Sequence, residues 1–146
     1  MGLMLYPEFQ KEVPGLKENS TGEFLIRVVE LLDEIAEELS LTPLGSFDRY
    51  SGYTDYAEEL ALSGGNPDDV EPPDFERWFV ASEGVETVEG LRTYLIEHKE
   101  RAATIARRAF ADEEAIEGVL YELEDLAQQL QAAAEHQIKF HLTVPW

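Results

Sequence analysis

No cysteine occurs anywhere in the 146-residue chain. That excludes disulfide staples, thiolate metal sites and cysteine nucleophiles, and it fits a reducing compartment. Positive charge is scarce as well: 11 Lys and Arg stand against 31 Asp and Glu, a formal net charge of -20. A surface this negative repels nucleic acid and anionic membranes and attracts basic partners. Long apolar runs are missing, since the most apolar stretch, Phe24 to Leu32, is broken by Arg27 and Glu30. No segment therefore reads as a membrane span. Met1 to Tyr6 has no basic residue ahead of its short apolar run, so it does not read as a signal peptide. The expectation is a cytoplasmic protein.

Histidine is limited to His98, His136 and His141. The residues three positions before them are Leu95, Ala133 and Ile138, so the Glu-x-x-His pattern of helical carboxylate metal sites is absent. The spacings match no other ligand pattern, and neither a metal nor a cofactor is expected. There is no Gly-x-Ser-x-Gly, no Gly-rich phosphate loop closing on Lys-Ser/Thr, and no Gly-x-Gly-x-x-Gly. Adjacent acids (Asp33-Glu34, Glu37-Glu38, Glu58-Glu59, Asp68-Asp69, Glu124-Asp125) are too numerous for adjacency to mark catalysis, and most read as solvated helix faces. These absences weigh against an enzyme.

What is present is a helical pattern. Hydrophobic residues make up 44% of the chain, enough for a folded domain despite the charge. One domain over 1–146 is expected. Ser20-Thr21-Gly22-Glu23 reads as a capping box, with Ser20 as the cap. Behind it Phe24, Val28, Leu31, Leu32, Ile35 and Leu39 repeat at helical spacing, with Glu30, Asp33, Glu34, Glu37 and Glu38 opposite. Pro43 requires this helix to end near Ser40. Ser82 reads as the cap of a second helix carrying Val85, Val88, Leu91, Leu95 and Ile96. The same stripe extends through Ala102, Ile105 and Ala109, so its end is either near His98 or beyond. Asp112 caps a last helix striped by Ile116, Val119, Leu120, Leu123, Leu126, Ala127, Leu130 and Ala134. Ile138, Phe140, Leu142 and Val144 then alternate with Lys139, His141 and Thr143, a strand signal. Leu3 to Val13 is its obvious pairing partner, as an edge strand because of Pro7, with a second copy of the chain as the other, and Pro14-Gly15 turns the chain after it. The expected fold is mainly α (α+β): three long amphipathic helices, an irregular aromatic-rich middle and a short terminal β pairing.

The middle, residues 44 to 80, holds seven of the 15 aromatics, among them Tyr50, Tyr53 and Tyr56 at every third position. A short helix opened by Asp55 and Glu58 is expected there, stopped by Gly64-Gly65-Asn66-Pro67. From Asp55 to Glu89 there are eleven acids and one base, Arg77. Aromatic rings with a polar tip beside dense negative charge suit a surface that grips a basic protein. The plainer reading makes these rings a loop-side extension of the core. Tyr53, Asp55, Tyr56, Glu58, Glu59, Asp68, Asp69, Glu71, Asp74, Glu76 and Trp78 are the expected partner-binding residues. The leading expectation is a non-enzymatic acidic binding protein that engages a basic protein partner, with the physical logic of immunity proteins, antitoxins and nucleic-acid mimics. One alternative is a self-associating scaffold, a homodimer for example, because Arg92, Lys99, Arg101, Arg107 and Arg108 complement a last helix with eight acids and no base. Another is an enzyme or small-ligand binder with a pocket under 44–80.

Overall fold

A computed structural model describes residues 5–16, 22–49, 59–65 and 76–143. Within them the order is β1 (Tyr6–Phe9), α1 (Glu23–Glu38), a 3-10 turn (Leu44–Phe47), α2 (Ala81–Glu97), α3 (Lys99–Phe110), α4 (Ala115–Glu135) and β2 (Phe140–Thr143). The fold is mainly helical with a terminal antiparallel β pairing, as the periodicities predict.

Each helix forms where its apolar stripe allows burial. In α1, Leu25, Val28, Val29, Leu32, Ile35 and Ala36 face inward. In α4 the inward set includes Val119, Leu123, Leu126, Ala127, Leu130 and Ala133. Burying one such aliphatic side chain stabilises the fold by about 1.5–3 kcal/mol, so these two stripes carry much of the core. The close fit of α2 against α4 and β2 depends on Gly84, where a Cβ would lie 2.6 Å from the Phe140 ring and 2.9 Å from Leu130.

The stretch after Val80 is two helices rather than one. It breaks at His98 (φ -117°, ψ 66°), although Leu95, Ala102 and Ile105 keep one continuous buried stripe. The break coincides with a local lock: both the His98 amide and its Nδ1 meet the Tyr94 carbonyl oxygen at 2.9 Å. The His98 ring stacks on Tyr94 at 4.0 Å. Arg101 then donates to the Tyr94 hydroxyl and to both Glu38 oxygens, tying the corner to α1.

Helix ends follow the stop signals more closely than the start signals. α1 and α4 both close in Schellman motifs, with Ser40 (φ 59°) and Gln137 (φ 56°) left-handed just past the end. The paired bonds are Leu41 N–H to Ala36 O and Ser40 N–H to Glu37 O, then Ile138 N–H to Ala133 O and Gln137 N–H to Ala134 O. At 59–65 the helical turn stops at Gly64 (φ 87°), as its Gly pair predicts. At the starts, Ser82 is not a cap: α2 begins at Ala81 after Val80 with no side-chain cap. Asp112 does accept the Glu114 N–H at 3.0 Å, opening the turns that lead into α4. Ser20 and Thr21 lie outside the described residues. The cap position of α1 is Gly22, left-handed at φ 73° and without a side chain.

β1 and β2 pair within the chain, Tyr6 opposite Thr143 and Phe9 opposite Phe140. The far edge of β2 is also covered, by a bridge from Asp48 to Leu142 and one from Phe79 to Phe140. One sheet face turns Phe140 and Leu142 into the core, where Phe140, Phe47 and Phe79 meet at ring distances of 5.2 to 6.4 Å. The other face carries Glu8, His141 and Thr143.

Candidate functional site

The outer sheet face is the densest polar arrangement in the described structure. Period-two alternation puts Glu8 directly across from His141 and diagonal to Thr143. Glu8 Oε1 accepts from the Thr143 hydroxyl at 2.5 Å, lies 3.4 Å from His141 Nε2 and lies 3.5 Å from Arg49. The Thr143 hydrogen bond, more than burial opposes, holds the Glu8 carboxyl below the usual carboxylate range; His141 and Arg49 push the same way.

His141 lies on the polar side of the strand, yet it is 2% exposed. The reason is a cover. Residues 76–80 run beside the far edge of β2, fixed by Arg77 N–H to Arg49 O at 2.8 Å and by reciprocal Phe79 and Phe140 amide bonds at 2.7 and 2.9 Å. Trp78 lies flat on the imidazole, with centroids 3.9 Å apart and planes 19° apart. His141 Nδ1 sits 3.0 Å from the Arg77 carbonyl oxygen. With both ring nitrogens engaged, the imidazole has no face left for a substrate.

Two carboxylates expected on solvated faces do structural work instead. Glu122, 4% exposed, accepts the Phe24 N–H at 3.0 Å and the Leu25 N–H at 2.9 Å. It thus supplies from α4 the cap that Gly22 cannot give α1. Asp33, assigned by its spacing to the outer face of α1, accepts the Leu44 N–H at 2.7 Å and the Gly45 N–H at 3.1 Å. Burial pushes the carboxyls of Glu122 and Asp33 up, against the hydrogen bonds that would lower them. Asp125 is buried beside Glu122 and takes a 2.8 Å hydrogen bond from Gln129.

Among the expected partner-binding residues, Glu59 and Glu76 are exposed and Trp78 is half-buried. Tyr53, Asp55, Tyr56, Glu58, Asp68, Asp69, Glu71 and Asp74 lie outside the described residues. The acidic surface continues beyond Glu76 onto α2, where Glu83, Glu86 and Glu89 are exposed. Several arginines are engaged within the chain by comparison. Arg27 lies 4.4 Å over the Phe110 ring and donates to the Ala109 carbonyl. Arg92 pairs with Glu124 at 3.8 Å, Arg101 with Glu38 at 2.5 Å, and Arg107 with Glu113. The charge complementarity between the basic stretch and the acidic last helix is therefore partly met inside one chain.

A cleft of about 340 Å³ opens between the start of α2 and the end of α4, lined by Val80, Ala81, Ser82, Ala134, Gln137, Ile138 and Lys139. It touches the 44–80 segment only at Val80 and contains no histidine or carboxylate, so it assembles no acid–base pair. Among the described residues, no three His, Asp or Glu side chains converge on a metal-holding position, and no helix is long and apolar enough to cross a membrane.

The Glu8–His141 contact was not visible in sequence because 132 positions separate the two partners. The available signal was the alternation of β2, which puts His141 and Thr143 on one face, together with the expectation that Leu3 to Val13 pairs with it. Compared with known protein families, curated proteins and solved structures, the chain matches none.

Proposed function

We propose that this is a non-enzymatic binding protein, acting in the cytoplasm, whose acidic surface engages a basic protein partner. The observation that carries this reading is the unequal use of the two charge signs. Arg27, Arg49, Arg92, Arg101 and Arg107 are each engaged within the chain, while Glu59, Glu76, Glu83, Glu86 and Glu89 remain on the surface. A chain of net charge -20 that also pairs several of its arginines within the chain presents a predominantly negative field. Such a field speeds the approach of a basic partner and disfavours acidic ones. The aromatic side chains of residues 50–78 supply the apolar anchors that charge alone does not.

The test is capture of basic proteins from lysate by the immobilised chain, eluted by a salt gradient, beside a variant carrying E59K, D68K and E76K. The expected outcome is one salt-released basic protein with wild type and its loss with the variant, the far-UV circular dichroism of the two being the same. Equal capture by both proteins overturns the reading.

A further inference from the structure

The placement of His141 has a consequence independent of any partner. Its two ring nitrogens face two acceptors, the Arg77 carbonyl oxygen at 3.0 Å and the Glu8 carboxylate at 3.4 Å. A neutral imidazole carries one N–H and one lone pair. Whichever nitrogen is bare then points a lone pair at an oxygen, on a ring that is itself 2% exposed. Only the doubly protonated ring satisfies both contacts. We propose that His141 is a proton-operated latch: with both nitrogens protonated it clamps residues 76–80 beside the far edge of β2, and losing one proton loosens that strap.

The surrounding charges define the working range. Glu8 on β1 faces the ring and must be ionised for the clamp to hold. Arg49 shares that carboxylate and competes for it. Asp48, bridged to Leu142 beside His141, Glu76 and Arg77 on the strap, and Lys139 just before β2 are the other charged groups of the elements that pack here. The latch is closed where Glu8 is charged and His141 holds two protons, and it opens as the pH rises through the histidine transition. The strap leads directly into α2, so the latch sets how firmly residues 76–80 are held ahead of that helix. The inference stands whether or not that segment binds a basic partner.

Trp78 reports on the latch directly, since its ring stacks on the imidazole and the chain has one other tryptophan, Trp146. In a Trp146→Phe background, Trp78 emission should follow a one-proton curve with pH while far-UV circular dichroism stays constant. Adding His141→Phe, which keeps the stack and removes the protons, should flatten the curve. Adding Glu8→Gln instead should move its midpoint to lower pH. Emission that is flat in the folded protein, a curve that survives His141→Phe, or a midpoint unmoved by Glu8→Gln would each overturn the latch. If His141→Phe does not fold, ¹⁵N resonances of the Trp146→Phe protein decide. The imidazole nitrogens and the Arg77 and Phe79 amides should change together, and an imidazole transition that leaves those amides in place overturns the proposal.

Discussion

Glu8 and Glu122 each join parts of the chain that are far apart in sequence, one across the terminal sheet and one across the helical body, and they respond to their surroundings in opposite ways. Glu8 is partly exposed and meets a hydroxyl, an imidazole and a guanidinium, so its charged form is favoured. Glu122 is buried among helices, accepts two backbone N–H groups and faces Glu23 and Asp125, so its charged form is disfavoured. The sheet region thus uses a carboxylate as a charge, whereas the helical body uses one as a hydrogen-bond acceptor. The two therefore respond to pH in opposite directions, the charge-dependent contact weakening in acid and the buried acceptor weakening as the pH rises.

The sharpest way to break this comparison is to remove Glu122. Glu122→Ala leaves the Phe24 and Leu25 N–H groups without an acceptor in the interior and opens a void between α1 and α4. A buried unsatisfied donor costs about 1–3 kcal/mol, and losing a helix cap costs about 1. A loss of about 2–3 kcal/mol in urea-denaturation stability is expected. A loss below about 0.5 kcal/mol would mean that water or a neighbouring group replaces the cap.

The cap also marks the limit of what sequence reveals here. The stripes of α1 and α4, their ends near Ser40 and Gln137, and the terminal strand pairing were all legible, because each follows from local periodicity or a local stop signal. Glu122 and Asp33 were not, because an acid that caps a remote helix looks the same in sequence as one that faces water. Ser82 was a natural cap residue that the fold does not use in that role. The corner at His98 was one of two ends left open, because the buried stripe passes through it unbroken and the break coincides with side-chain contacts among Tyr94, His98, Arg101 and Glu38. At the candidate site, Trp78 stood out as an aromatic. Its partner His141 did not, since alternation assigns a strand residue to a face without saying what covers that face.

A pH series compares the two carboxylates at once. Glu8 titrates lower in the folded chain than its ordinary 4.5, so the stability it adds is present above that value and is lost as the pH falls through its folded value. Glu122 titrates higher than 4.5 when folded, so its contribution is complete below 4.5 and is lost as the pH rises through its raised folded value. Glu8→Gln should therefore be less stable than wild type near neutrality and converge with it in acid. The side chain of Glu8 is 41% exposed, and solvent screening keeps that deficit under about 1 kcal/mol. Glu122→Gln retains an oxygen acceptor and should gain on wild type as the pH rises. Denaturation midpoints of the three proteins between pH 3 and 8 test this, and parallel curves would erase the distinction between the two regions.

The smallest effect separates the two regions by backbone rather than charge. Gln137 ends α4 just before the chain enters β2, and it holds a left-handed φ of 56° that costs an L-residue about 1–2 kcal/mol relative to glycine. Gln137→Gly relieves that cost, while the greater freedom of glycine in the unfolded chain returns about 0.5–1 kcal/mol of it. A net gain of about 0.5 kcal/mol is expected from the difference. Ser40→Gly, at the matching position past α1, should gain a similar amount. If the helical body and the sheet end fold as one cooperative unit, both substitutions raise the same denaturation midpoint. If the sheet end opens separately, as a latch on its outer face would allow, Gln137→Gly will raise amide protection in β2 by a different factor from that in α1. Native-state hydrogen exchange at Phe140 and Leu32 measures that difference.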